Sequence, residues 1–381
     1  MRILLVGEYS RLHNSLKEGL TALGHQVCLI STGDYFKKFP ADILLKRKFD
    51  QGISKKAKVG FYKLFKKDLT SLNVLKQFLS YSEKLKNYDV VQFINESPLG
   101  IQPEEEKKAI DFLKKHNKKI FLLSCGTDFS SVSFAMQKKI RYSIFTPLLE
   151  NQVGKKNYLP ALKYLQENYK ELHQYLFSEI IEGVISSDFD YHIPLKENPK
   201  YLGLIPNPIN VKKHKFLPFE THQKIIIFLG INSSNYTQKG IVFFEKALEK
   251  IQVKFPDKIE IIKAENLPYQ EYIKSYEKAH VLLDQIFSFD QGYNALEAMA
   301  QGKVVFTGAE KEFLKHYNVK EDEVCINALP NENYLVEKLS FLIENPEKIK
   351  QISLNARRFV EENHDYIKVA KQYLKCWKNE K

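Results

Sequence analysis

Hydrophobic positions fall into short blocks separated by stretches of helical spacing. Ile3 to Val6 is an apolar run broken by Gly7-Glu8-Tyr9-Ser10, after which Leu12, Leu16, Leu20 and Leu23 recur at the spacing of one helix face. Gly24-His25 stops that helix, and Val27 to Ile30 begins a second apolar run. The pattern predicts strand, helix and parallel strand, the opening unit of a doubly wound sheet. It continues with a strand at 89–94, a helix at 104–116 and strands at 119–123 and 183–186. Strands alternating with helices in this way make an α/β domain.

Ile205-Pro-Asn-Pro-Ile209 interrupts the alternation. Two prolines in three residues exclude helix and restrict the residue before each, which marks a linker. The pattern then restarts with a strand at 225–229, a helix at 242–253, strands at 259–262 and 281–284, a segment at 295–300 and a strand at 304–306. Near the end, Ile367, Ala370, Tyr373, Leu374 and Trp377 share one face of an amphipathic helix. A chain of 381 residues suits two such domains. Paired domains of this kind commonly hold a ligand in the cleft between them.

Composition narrows the class. With 44% hydrophobic and 27% charged residues the chain is neither disordered nor fibrous. No apolar run approaches the roughly 18 residues that span a bilayer. Cys28, Cys125, Cys325 and Cys376 form no CxxC and read as reduced thiols, so a cytoplasmic protein is expected. The net charge of +12 is concentrated: residues 37–67 hold eleven Lys or Arg against Asp42 and Asp50, interleaved with Phe39, Phe49, Phe61, Tyr62 and Phe65. Such a segment suits an anionic membrane surface, with the protein peripheral at the inner face, or a polyanionic acceptor. A solvated lysine-rich face fits equally well. Zinc-finger, RNP-like and helix-turn-helix signals are missing, so nucleic acid is not an expected partner.

The stretch from Asp284 to Gly302 carries the chemistry. A strand ends near Asp284, a loop containing Gly292 follows, and a helix starts near Asn294. Gly292 lets the backbone approach a ligand, and free N–H groups at the helix start suit a diphosphate. Glu297, one turn in, has the acceptor chemistry for ribose hydroxyls; an acid near a helix start also stabilises the helix by itself. Asp188-Phe189-Asp190 spells DxD, a metal-nucleotide signature that is weak alone. Gly7-Glu8-Tyr9-Ser10-Arg11-Leu12 fails GxGxxG, and no GxSxG, HExxH or GxxxxGKS occurs.

The run LEAMAQGKVV (296–305), with Gly292 upstream, resembles the acidic signature of retaining glycosyltransferases of the GT-B fold, family 4-like (glycosyl transferases group 1). GEYSRLHNSLKEGLTALGHQV (7–27) resembles that family's opening unit, SCGTDF (124–129) its HGTD-type loop, and IPNPI (205–209) its interdomain junction. GINSSNYTQKG (230–240) resembles a loop that usually ends in Lys-Gly, and Asp284-Gln285 begins a variant common in one subgroup. The resemblance implies an α/β GT-B molecule of two Rossmann-like domains with parallel sheets facing across a cleft. Residues 1–207, completed by a helix at 365–381, would form the acceptor domain, and residues 208–364 the donor domain.

The implied activity is transfer, with retention, of a hexose-type sugar from a UDP- or GDP-sugar to a glycan or lipid-linked acceptor in surface polysaccharide or glycoconjugate biosynthesis. Neither metal nor other cofactor is expected. Carried over residue by residue, Glu297 would bind ribose, Lys239 the diphosphate, and Asp128 would face the acceptor; these are the catalytic candidates. Gly7, Gly230, Asn232, Asp290, Gly292, Tyr293 and Asn294 join them on the donor side, and Glu8, Tyr9, His13 and Cys125 on the acceptor side. Three positions depart from the pattern. Asn232 stands where Arg is usual, Phe289 takes the place of the first acid of a Glu-x7-Glu pair with Asp290 beside it, and Cys125 replaces a histidine. Two other readings stay open, an inactive GT-B-like binding protein and a nucleotide-sugar epimerase on the same fold.

Overall fold

The computed structural model describes residues 1–34, 39–220 and 224–378. The start of the basic segment, including Lys37 and Lys38, and the final residues 379–381 lie outside the described residues. The first sheet contains β1 (Arg2–Val6), β2 (Gln26–Ser31), β3 (Ile43–Leu44), β4 (Val90–Phe93), β5 (Lys119–Ser124), β6 (Gly183–Ser186) and β7 (Tyr201–Leu204), all parallel, in the order 3-2-1-4-5-6-7. The second contains β8 (Ile225–Ile231), β9 (Ile259–Glu265), β10 (Val281–Leu283), β11 (Val304–Thr307) and β12 (Ile326–Asn327), also parallel, in the order 12-11-10-8-9. Strands covered on both faces read as unbroken apolar runs, as Ile3 to Val6 and Val281 to Leu283 do.

Strand order reverses between β1 and β4 in one sheet and between β8 and β10 in the other. Loops at the carboxyl ends of such strands splay apart and leave a crevice where ligands bind. The two-lobed, doubly wound architecture is that of the GT-B fold.

The helix Tyr366–Lys378 packs on the first helix, Leu12–Ala22, and so belongs to the first lobe. Gly19 makes the contact close: a Cβ there would lie 2.2 Å from the Tyr366 carbonyl oxygen. Trp377, fully buried, donates its indole N–H to Gln92 Oε1 at 2.9 Å. The chain therefore crosses between lobes twice, and the crossings are bonded to each other, Ile209 N–H to His364 O at 2.7 Å and Tyr366 N–H to Ile209 O at 3.1 Å.

Residues 129–180 form a helical subdomain with its own small core of Val132, Phe145, Leu148, Tyr158, Tyr164 and Tyr169. Its helices include the four-residue turns Thr146–Leu149 and Leu159–Leu162, too short for an apolar face to repeat. The subdomain touches the second lobe through Arg141, which reaches Glu310 at 2.7 Å and Glu312 at 2.8 Å. Within the basic segment lies the helix Gly52–Phe65, which leaves Val59, Tyr62, Leu64 and Phe65 exposed.

Candidate active site

A cleft of about 360 Å³ opens between the lobes at the carboxyl ends of their strands. Tyr9 follows β1, Cys125 follows β5 and Asp188 follows β6; from the second lobe come Gln285, Asp290 and Gly292, all after β10.

On the donor side the organising group is Asp284, buried at the end of β10. Its Oδ1 accepts from Lys239 Nζ at 2.8 Å and from Asn294 Nδ2 at 2.9 Å, which fixes both side chains at the switch point. The loop carrying Lys239 turns on Gly240, whose φ of 69° favours glycine and where a Cβ would lie 2.8 Å from Ile286. Gly230, at the end of β8, lies so close to Tyr272 that a Cβ would sit 2.4 Å from the ring. Asn232 is folded onto its own loop, accepting from Ser234 N–H at 3.0 Å and Ser234 Oγ at 2.7 Å.

Gly292 is the cap of the helix Tyr293–Ala300 and has no capping side chain, which leaves the first N–H groups available to an anion. Tyr293 joins the lobes, donating its hydroxyl to the Pro208 carbonyl and accepting from Ser15 Oγ at 2.6 Å. Glu297, 3% exposed, lies 4.0 Å from His214 Nε2, and its charge also acts on Arg11. Burial pushes His214 down to about 4, with Arg11 adding to the effect, so its ring is neutral near pH 7. Gly292, Tyr293 and Asp290 line the cleft; Lys239 and Asn294 are held by Asp284, and Glu297 acts on Arg11, outside that lining.

In the first lobe, Gly7 has φ 87°, and a Cβ there would lie 2.3 Å from Ile94 Cγ2, so this turn needs glycine. Glu8 is buried, and burial pushes its carboxyl up to about 8. Tyr9 and Cys125 line the cleft, with the thiol held neutral by burial. Two expected acceptor-side residues stand elsewhere. Asp128 is an internal cap: it accepts from Ser131 N–H at 2.7 Å and from Ser124 Oγ, which leaves it 2% exposed. The HGTD-like turn thus spends its acid on starting the helix Phe129–Met136. His13 points into the fold: it is fully buried, with Nδ1 2.7 Å from the Gly7 carbonyl oxygen, and burial lowers it to about 3.

The cleft also holds residues the sequence did not single out for it. Asp34 lines it while accepting from Ser10 N–H at 2.9 Å, and Asp188 and Asp190 meet Asp290 across the lobes. Asp290 is thereby turned toward the first lobe, where its Oδ2 accepts from Phe189 N–H at 3.1 Å. The DxD follows strand 183–186, and position at a strand's carboxyl end was the available signal; its pairing with Asp290, 100 residues on, left none.

Residues 242–375 match the family model described as glycosyl transferase-like. The chain thus has the GT-B fold, and its second lobe is similar to the glycosyl transferase-like family. Among solved structures, the chain resembles sucrose-phosphate synthase from Thermosynechococcus elongatus, at 14% identity and TM-score 0.60, over 100% of this chain and 98% of that one. It also resembles Anabaena Alr3699/HepE in complex with UDP-glucose, at 11% identity and TM-score 0.57, over 100% of both chains. A third likeness, at 10% identity and TM-score 0.53, is to a proposed UDP-N-acetylglucosamine 2-epimerase from Listeria monocytogenes, over 98% and 94% of the two chains. Comparison with curated proteins gives no match.

Proposed function

We propose that the protein transfers a hexose-type sugar, with retention, from a UDP- or GDP-sugar to a glycan or lipid-linked acceptor in surface polysaccharide or glycoconjugate biosynthesis. The observation that carries this reading is the convergence, at the switch point of the second sheet, of an uncapped helix start at Gly292, the Asp284-held Lys239 and the buried Glu297. A nucleoside diphosphate meets complementary chemistry there. Ribose hydroxyls donate to Glu297, and the diphosphate takes the helix N–H groups and the lysine ammonium. As the glycosidic bond to the diphosphate loosens and positive charge grows on the sugar, these groups stabilise the charge on the departing phosphate. An acceptor hydroxyl, held on the Tyr9 and Cys125 side, then attacks the sugar from the same face and passes its proton to the departing phosphate, which gives retention. No step in this account uses a metal.

The test is a thermal-shift screen of UDP, GDP, ADP, CMP and their sugars against wild type and Glu297→Ala. Stabilisation by one nucleotide, about 2.7 kcal/mol at 100 times its Kd, is expected in wild type and lost in the variant. No response to any nucleotide would move the assignment to a binding protein without transferase activity. The likeness to an epimerase favours a second reading, turnover of a UDP-sugar without acceptor, which an acceptor-free product assay decides.

The helix Gly52–Phe65 supports peripheral attachment to an anionic membrane. Leu64 and Phe65 are 79% and 60% exposed beside Lys63, Lys66 and Lys67. No helix among the described residues is long and apolar enough to cross a membrane. Vesicles rich in anionic lipid should sediment the protein at low salt and release it at high salt; absence of binding at low salt removes this part of the reading.

A further inference from the structure

Two loops of similar sequence meet between the lobes. Ser187-Asp188-Phe189-Asp190 follows β6 in the first lobe and runs into the helix Phe189–Leu195, and Ser288-Phe289-Asp290 follows β10 in the second. Both phenylalanines are buried in one apolar cluster that spans the lobes. The acids exchange bonds with the opposite main chain. Asp190 Oδ2 accepts from Ser288 Oγ at 2.7 Å and from Phe289 N–H at 3.2 Å, while Asp290 Oδ2 accepts from Phe189 N–H at 3.1 Å.

This exchange brings carboxyl oxygens of Asp188, Asp190 and Asp290 within 4.8 Å of one another. Asp188 Oδ1 is shut away from water and has no hydrogen-bond partner. Three ionised carboxylates at that spacing, Asp290 buried and Asp188 and Asp190 partly so, repel strongly, and such groups share protons rather than all ionise. The two loops can therefore stay joined only while the trio carries less than its full charge.

We propose that this contact is a proton-held latch: on closing, the Asp188, Asp190 and Asp290 group takes up protons from solvent, and their loss lets the Phe189 and Phe289 loops part. The groups facing the trio leave the charge to protons. Cys125 after β5, Tyr191 in the helix Phe189–Leu195 that begins within the contact, Tyr142 of the helical subdomain, Tyr317 and Cys325 are all held neutral by burial. His192 and His316 flank the Phe189 ring at 5.4 Å, and burial lowers both. Arg141 lies 4.8 Å over the Phe289 ring but is engaged by Glu310 and Glu312. Within the closed contact, burial raises Asp190 to about 6 and lifts Asp188 and Asp290 well above the ordinary range, the neighbouring carboxylates adding to the rise for the latter two.

The direction of the pH effect follows. Parted and solvated, the acids ionise near the ordinary aspartate value of about 3.9. Above that pH, closing takes up protons, so the closed-to-open ratio falls about tenfold per pH unit for each proton taken up. The fall begins near the ordinary value and, for Asp190, ends near 6; for Asp188 and Asp290 it continues higher. The inference is independent of which nucleotide, if any, the cleft accepts.

Hydrogen exchange of the full chain, in EDTA and without added ligand, tests it. Peptides spanning 186–192 and 287–292 are followed from pH 5.5 to pH 8, with rates corrected for intrinsic exchange. Protection in both peptides should fall together, by roughly tenfold per pH unit or more. In Asp188→Asn/Asp290→Asn, where the acceptor oxygens remain and the charges are gone, protection should stay nearly constant. Protection in wild type that does not change with pH, or that changes in only one of the two peptides, overturns the latch. So does a double variant that follows the wild-type profile. The wild-type series needs no variant to fold, and nucleotide binding plays no part in either arm.

Discussion

Glu8 divides its hydrogen bonding unevenly. One carboxyl oxygen takes both donors of Asn14, at 2.8 and 2.7 Å, and the other is buried without a partner. Burial pushes the acid up to about 8, so the folded protein holds a proton that the unfolded chain releases near the ordinary glutamate value of 4.5. Between those two values the folded state binds more protons, and stability falls as pH rises. Glu8→Gln keeps the acceptor and removes the charge. Its stability relative to wild type should therefore improve from pH 5 to pH 8, reaching on the order of 3 kcal/mol, as read by calorimetric melting. An increment that does not vary with pH contradicts the buried proton. Among single residues, the place of Gly292 and Asn294 at a helix start was legible because a strand end and a glycine fix where that helix begins. Asp128 was misplaced because a Thr-Asp turn reads the same whether its acid faces a cleft or caps a helix. Asp34 was illegible, since only the order of strands brings the end of β2 beside the loop after β1.

Elements that bury both faces announced themselves, and those that bury little did not. The strands β3 and β12 are two residues each and carry no pattern of their own; their neighbours in the sheet define them. The helical subdomain is hidden for a related reason, because it buries side chains from many short turns rather than one repeating face. The last helix is the opposite case, with Tyr373 and Trp377 fully buried on one side and its lysines outward. Gly19→Val puts side-chain atoms where the Tyr366 carbonyl lies. It should cost about 1–3 kcal/mol and loosen the helix Tyr366–Lys378. Trp377 is the single tryptophan of the chain, so a red shift of intrinsic fluorescence reports the loosening directly. An unshifted spectrum with an unchanged melting temperature would mean that the two helices can separate slightly without loss. Gly240→Ala tests the donor side. Its strained φ of 69° and the contact with Ile286 should displace Lys239, lowering both stability and the response to nucleotide in the thermal-shift screen.

For the molecule as a whole, two blocks of strand-helix alternation separated by a proline-rich linker were enough to reach a two-lobed α/β fold. How the lobes meet was not legible, because the contacts join residues about 100 to nearly 300 positions apart, Asp190 with Ser288 and Tyr293 with Ser15. A chain ending after residue 365 would retain both sheets but leave Leu16 and Leu20 of the first helix without their cover. It should lose cooperative melting of the first lobe and associate in solution, as light scattering and calorimetry would show.

The return of the final helix to the first lobe also sets an order on manufacture. The ribosome makes nearly all of that lobe first, then the whole second lobe, and only after both the segment that covers Leu16, Leu20 and Gly19. Until Trp377 has left the exit tunnel, the first lobe carries an unroofed greasy surface. Domain-by-domain folding during synthesis, the usual protection for a chain of this length, is closed to the first lobe. Its newborn form should therefore lean on a chaperone for longer than the second lobe does.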